Sequence, residues 1–150
     1  MSEFFQFEAD FVESLRCVPM QVRLKLDTCG VKLKLPQWNK FNSDDRQRLV
    51  DTPCAMEPEI AAYRELLPQM ILQRTGDTAT DLAIDPHPDW ENITIIPKSV
   101  QEKAQDVGVT LIPAEWALLT PLRRFALIKL SLSGHENHNF LPALKEFRLA

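Results

Sequence analysis

The sequence predicts a mainly α-helical fold, a single domain of about seven helices spanning residues 1–150, with an internal pseudo-twofold repeat. Apolar residues recur at helical spacing, and glycines and prolines stand where helices would end or begin. One stretch also occurs twice, because residues 19–50 match residues 97–128 without a gap at nine of 32 positions. Average composition would give about two identities. We therefore expect a core built from two related helical units.

The identical positions are mostly residue types that begin, end or anchor structural elements. They are Pro19/Pro97, Val22/Val100, Lys25/Lys103, Gly30/Gly108, Val31/Val109, Leu33/Leu111, Trp38/Trp116, Arg46/Arg124 and Leu49/Leu127. Proline suits the first turn of a helix, where its missing amide hydrogen is not needed. Glycine adopts the left-handed conformation that closes a helix. The repeat thus predicts helix starts, helix ends and two buried tryptophans.

The predicted helices follow from these signals and from apolar periodicity. One starts near Phe11 and the next at Pro19, and a single kinked helix through both is the alternative. Asn42 or Ser43 caps a helix that runs to about Thr52. The remaining helices are expected at 59–75, 97–107, 122–132 and 141–147, with a turn or short helix at 36–38 and a turn at 113–116.

Two further segments have other patterns. Residues 31–35 and 109–111 alternate in polarity, so they are candidates for a minimal two-stranded ribbon. Residues 76–97 are acidic, rich in proline and without Lys or Arg until the second copy begins. We expect them to form a long connection, with Trp90 and residues 93–96 packed on the body.

Charge and composition exclude several classes of function. The net charge is −4 and neither half of the chain is basic, which argues against nucleic-acid binding. No apolar run is long enough to span a membrane, and the N-terminus does not resemble a secretory signal, so a cytoplasmic protein is expected. No Gly-rich phosphate loop or G-x-S-x-G motif is present. We therefore predict no catalytic residues, no bound cofactor and no enzymatic activity.

Five segments resemble the nitrate reductase-associated protein family of cyanobacteria. They are residues 7–35, the pair Pro53-Cys54, and the strings SVQEKAQDVGV (99–109), RFALIKLS (124–131) and HENHNFLPALKEF (135–147). The resemblance spans nearly the full chain. It implies a non-catalytic accessory protein that binds assimilatory nitrate reductase, or a maturation intermediate of it, and supports its assembly or activity.

An alternative hypothesis is metal or cofactor handling, since the resemblance points to a reductase that carries a molybdopterin cofactor and an iron–sulfur cluster. Cys17, Cys54 and His135 are the candidate soft ligands, with His138 as a spare. The competing interpretation is structural, because free cysteines such as Cys17 and Cys29 are commonly small core residues. No C-x-x-C pair is present, and an odd number of cysteines argues against a disulfide framework.

The run from His135 to Phe140 is the most distinctive polar stretch of the resemblance. His135, Glu136, Asn137, Asn139 and Phe140 are therefore candidate partner-binding residues, with capping of the last helix as the competing role. Two arginines occupy matching repeat positions and could bind an anion. We favour a structural role, in which each holds an acidic residue or the carboxyl end of a helix in its own half.

Overall fold

The computed structural model describes residues 4–8, 17–132 and 137–150, which fold mainly into α-helices, as predicted. Eight α-helices and one two-stranded sheet lie within these ranges. The helices are α1 (Met20–Cys29), α2 (Leu35–Lys40), α3 (Ser43–Asp51), α4 (Glu57–Thr75), α5 (Lys98–Asp106), α6 (Pro113–Leu118), α7 (Pro121–Leu132) and α8 (Phe140–Glu146). Short 3-10 helices span Gln6–Glu8, Asp89–Glu91 and Asn137–Asn139. No helix in the described part of the chain is long and apolar enough to cross a membrane.

The described residues divide into two compact units. The first comprises Phe4, Glu8 and residues 17–85, and the second comprises residues 5–7, 86–132 and 137–150. The boundary falls inside the predicted connection and places the two repeat segments in different units. The short helices α2 and α6 begin and end 78 residues apart, at the spacing of the repeat. The repeat as a whole, and the single domain, stay predictions.

Helix α1 begins and ends where local chemistry predicts. Residues 17–19 are not helical and Pro19 caps the helix, so the alternative of one kinked helix is wrong. The Glu8 carboxylate accepts a hydrogen bond from the Met20 amide at 2.8 Å, which satisfies a donor that the helix itself cannot pair. Gly30 ends the helix at φ 77° and donates to the Leu26 carbonyl. The separate helix predicted from Phe11 lies outside the described residues.

The core of the first unit lies among α1, α2, α3 and α4. Its largest fully buried side chains include Trp38, Tyr63, Leu49, Leu67 and Ile71. Helix α3 begins with a reciprocal cap, in which the Asn42 side chain accepts from the Asp45 amide at 2.7 Å and the Asp45 carboxylate accepts from the Asn42 amide.

The two-stranded ribbon exists, but its predicted pairing is wrong. Strand β1 (Val31–Lys32) pairs antiparallel with β2 (Thr80–Asp81), not with residues 109–111. The reason is a side chain from α4, since Arg64 donates to the carbonyls of Cys29 and Gly30 and forms a 3.0 Å ion pair with Asp81. The first part of the acidic connection therefore belongs to the first unit.

Helix α7 is the centre of the second unit. Its buried residues are Arg124, Phe125, Ala126, Leu127, Ile128 and Leu130. Phe5 is also buried in this unit, stacked on Phe7 and in edge contact with Phe147. The predicted turn at 113–116 is instead the first part of the six-residue helix α6.

Gly30 should tolerate a methyl group far less well than Gly76, which has the same φ of 77° in the same unit. A Cβ at Gly30 would lie 2.6 Å from the Ile84 Cγ1 and 2.9 Å from the Arg64 guanidinium, whereas a Cβ at Gly76 would meet nothing within 4 Å. We expect Gly76→Ala to lower the free energy of unfolding by about 1 kcal/mol through left-handed strain. Gly30→Ala should lower it by about 3 kcal/mol, because overpacking adds to the strain.

Urea titration of both variants measures the difference. Equal losses in the free energy of unfolding would show that the Ile84 and Arg64 side chains move aside at little cost. That result would contradict the tight packing of these two side chains on Gly30.

Candidate functional site

The predicted metal ligands are placed in different environments. Cys17 is exposed, so its expected role as a core residue is wrong, while Cys54 and Cys29 are buried. His135 lies outside the described residues. Within the described ranges, no group of three or more His, Cys, Asp and Glu side chains is arranged to hold a metal ion. Metal binding by Cys17, Cys54 and His135 stays a prediction.

Cys54 has a neighbour that the sequence did not indicate, namely Cys29. The Cys54 thiol donates to the Lys25 carbonyl at 3.7 Å, and the Cys29 thiol donates to the Leu26 carbonyl at 3.8 Å. These carbonyls are consecutive on α1, so the two thiols lie against the same turn of that helix. The neighbouring Cys54 thiol lowers the pKa of Cys29, and the neighbouring Cys29, together with burial, raises the pKa of Cys54.

Lys25 supplies a positive charge beside this thiol pair. Its ammonium donates to the carbonyls of Val50 and Thr52 at 2.7 Å, at the carboxyl end of α3, and to the Leu49 carbonyl at 3.3 Å. Burial lowers the pKa of Lys25, while the neighbouring Cys54 and Asp51 oppose that shift. The ammonium also lies 5.8 Å from the centre of the Tyr63 ring.

The predicted partner-binding run is only partly described. His135 and Glu136 lie outside the described residues, and the backbone of Asn137 begins a 3-10 helix. Asn139 is half-buried, and its side chain makes no capping hydrogen bond to α8. Phe140 is fully buried, so its side chain belongs to the core of the second unit. A role of this run in partner binding stays a prediction.

The two repeat arginines hold helix ends, which confirms the structural interpretation. Arg46 donates to the Trp38 and Asn39 carbonyls at 3.2 and 3.1 Å, at the end of α2. Arg124 does the same at the end of α6, donating to the carbonyls of Trp116 and Leu119. Both tryptophans are buried, as predicted. Neither guanidinium is arranged as a simple anion site, because backbone carbonyls surround it.

Arg124 has a further bond with no equivalent described for Arg46. Its Nε donates to the Trp90 carbonyl at 2.6 Å, which fastens the 3-10 helix Asp89–Glu91 onto α7. Trp90 also makes an edge contact with Phe125, at 5.1 Å between ring centres. Burial lowers the pKa of Arg124, and nearby Glu91 opposes that shift. One buried cation thus positions both α6 and the second half of the connection.

Two segments of the second unit that a hydrogen bond joins carry exposed apolar side chains, and these side chains are here called the α6 surface. The indole nitrogen of Trp116 donates to the Asn92 carbonyl at 2.9 Å, which joins α6 to the segment that follows the 3-10 helix. The two joined segments carry four exposed large apolar side chains: Ile93, Ile95, Ile112 and Leu118. Leu118 is 87% exposed. Residues 93–96 were expected to pack on the body, but only Ile96 is buried.

Comparison with known proteins identifies the family. A family model described as conserved nitrate reductase-associated protein matches residues 4–147. The chain belongs to this family. No curated protein and no solved structure matches it.

The neighbourhood of Cys29 and Cys54 and the α6 surface were not predicted from the sequence. Cys29 and Cys54 are 25 positions apart, so only the packing of α1 against the segment before α4 could show that they meet. Leu118 lies two positions after a buried tryptophan, which places it on the opposite side of a helix. That offset was a usable signal for an exposed apolar residue.

Arg124→Ala should destabilise the protein more than Arg46→Ala. Arg124 is 4% exposed and serves three carbonyls, whereas Arg46 is half-buried and serves two. We expect a loss of about 3 kcal/mol in the free energy of unfolding for Arg124→Ala, because buried carbonyls lose charged donors, against about 1 kcal/mol for Arg46→Ala. Chemical denaturation monitored by tryptophan fluorescence measures both. A smaller loss for Arg124→Ala would contradict the assigned role.

Proposed function

We propose that this chain is a non-catalytic accessory protein of the cytoplasm that binds assimilatory nitrate reductase, or an intermediate in its maturation, and supports the assembly or activity of that enzyme. Family membership supports the choice of partner, because the family is described by its association with nitrate reductase. The negative net charge and the lack of a phosphate-binding loop in the sequence support a protein-binding role over nucleotide or nucleic-acid binding.

The observation that carries the proposal is the α6 surface. Single exposed apolar residues are ordinary on a protein surface, but several carried together mark a site of association. Ile93, Ile95, Ile112 and Leu118 belong to two segments that the Trp116–Asn92 hydrogen bond holds together. We assign nitrate reductase as the protein that covers this surface. Burial of such side chains at the centre of an interface supplies most of its affinity.

Co-purification tests the partner. The full chain, tagged at its native expression level, should recover nitrate reductase from extracts of cells grown on nitrate, and deletion of its gene should lower reductase activity. Failure to recover the enzyme, together with normal reductase activity after deletion, would rule out the proposed function.

Substitutions on the α6 surface test how the enzyme is held. The double variant Ile95→Ser/Leu118→Ser should weaken binding to purified nitrate reductase at least about tenfold, because each truncated anchor costs more than about 1 kcal/mol. Both side chains are mostly exposed, so folding should be preserved. Leu72→Ser is the matched control, since Leu72 is a comparably exposed apolar residue on α4 of the first unit.

Isothermal titration calorimetry gives the dissociation constants. Wild-type affinity in the double variant would show that the α6 surface is not the binding site. It would not contradict nitrate reductase as the partner. Weakened binding by the Leu72 variant alone would move the interface to the first unit.

A further inference from the structure

The thiol pair of the first unit has the arrangement of a redox site that the proposed function does not use. Cys29 is the last residue of α1, and Cys54 lies in the segment between α3 and α4. Their thiols donate to consecutive carbonyls of α1, so the two sulfur atoms lie against the same turn of that helix. A disulfide needs two sulfur atoms that can approach each other to about 2 Å from neighbouring backbones, and two thiols bound to adjacent carbonyls of one helix are placed for that approach.

We propose that Cys29 and Cys54 are a reversible redox-modification site, at which hydrogen peroxide converts the two thiols into a disulfide and a dithiol reductant restores them. Such a bond would link the end of α1 to the segment that leads into α4. The exposed Cys17 has no part in it. The inference concerns the first unit alone and does not depend on the proposed interaction with nitrate reductase.

The charges around the pair favour ionisation of one thiol, which is the reactive form. The Lys25 ammonium lies near Cys54, and the Arg64 guanidinium lies near Cys29, whose carbonyl it binds at 2.7 Å. Both cations are held by backbone carbonyls, Lys25 at the end of α3 and Arg64 at the end of α1. Two fixed positive charges therefore flank the two neighbouring thiols.

Exposure assigns the first step to Cys54. Cys54 is 8% exposed and Cys29 is fully buried, so peroxide meets Cys54 first. After the pair loses one proton to solvent, the proton that remains lies mainly on Cys54, the thiol with the raised pKa. Its transfer to the neighbouring Cys29 sulfur gives the minor form of the pair, in which the more exposed Cys54 is the thiolate. The Cys54 thiolate then attacks one peroxide oxygen, the O–O bond breaks, and the departing hydroxide takes up a proton to become water.

Cys29 completes the reaction as the resolving thiol. Its sulfur attacks the sulfenic sulfur of Cys54, the S–S bond forms, and the S–O bond breaks as the hydroxyl leaves with the Cys29 proton as water. In total, two thiols and one peroxide give one disulfide and two waters. A small dithiol reverses the change by thiol–disulfide exchange.

The test uses the full-length protein treated with a small excess of hydrogen peroxide, then with an alkylating reagent under denaturing conditions. Intact mass should show the loss of two hydrogen atoms, peptide mapping should place the bond between Cys29 and Cys54, and Cys17 should be alkylated as a free thiol. Dithiothreitol should return the original mass. Cys17→Ser is the matched control and should form the bond at the wild-type rate.

Cys29→Ser should stop at a sulfenic or further oxidised Cys54 without an internal cross-link. Should that variant fail to fold, peptide mapping of the wild-type protein alone still decides the matter. Two unlinked thiols after treatment, stepwise oxidation without a cross-link, or a bond that includes Cys17 would each overturn the proposal.

Discussion

The second unit depends on one buried cation, the guanidinium of Arg124. It donates to the carbonyls of Trp90, Trp116 and Leu119, which belong to two segments of the chain, the 3-10 helix Asp89–Glu91 and the end of α6. A buried guanidinium is stable only where acceptors replace its water, and these three carbonyls do so. In return, the carbonyls at the end of α6 receive donors that the helix cannot provide. The position of the α6 surface therefore follows from the hydrogen bonds of one residue.

In the first unit, too, cationic side chains donate hydrogen bonds to the carbonyls at the ends of helices. Arg46 holds the end of α2, Lys25 holds the end of α3, and Arg64 holds the end of α1 and draws Asp81 into the ribbon. Each cation meets the negative end of a helix, where it is stabilised by the helix dipole as well as by hydrogen bonds. This arrangement has a chemical consequence, because it leaves two positive charges beside the thiols of Cys29 and Cys54.

Features that depend on local chemistry could be predicted from the sequence. The starts and ends of helices at Pro19, Gly30, Asn42 and Gly76 follow from proline geometry, left-handed glycine and side-chain caps, and the structure has them there. Features that depend on distant contacts could not. The partner of β1 is decided by Arg64, which pairs with Asp81 of β2. Arg64 lies on α4, outside the acidic segment 76–97, so the composition of that segment does not reveal the ion pair.

In the candidate sites, too, features set by the local sequence could be predicted and features set by distant contacts could not. The family could be predicted because its sequence strings are long and particular, and Cys54 was singled out for its chemistry. Its neighbour was not predictable, since the apolar periodicity that places Cys29 with Val22 and Leu26 on a buried face does not say which segment packs against that face.

The most direct test of the central claim is nitrate reductase activity in extracts of a strain that lacks this protein, measured before and after expression of the wild-type chain or the Ile95→Ser/Leu118→Ser variant. Our account predicts that the wild-type chain restores activity and that the variant, present at equal level, does not. Unchanged activity in the deletion strain would contradict it.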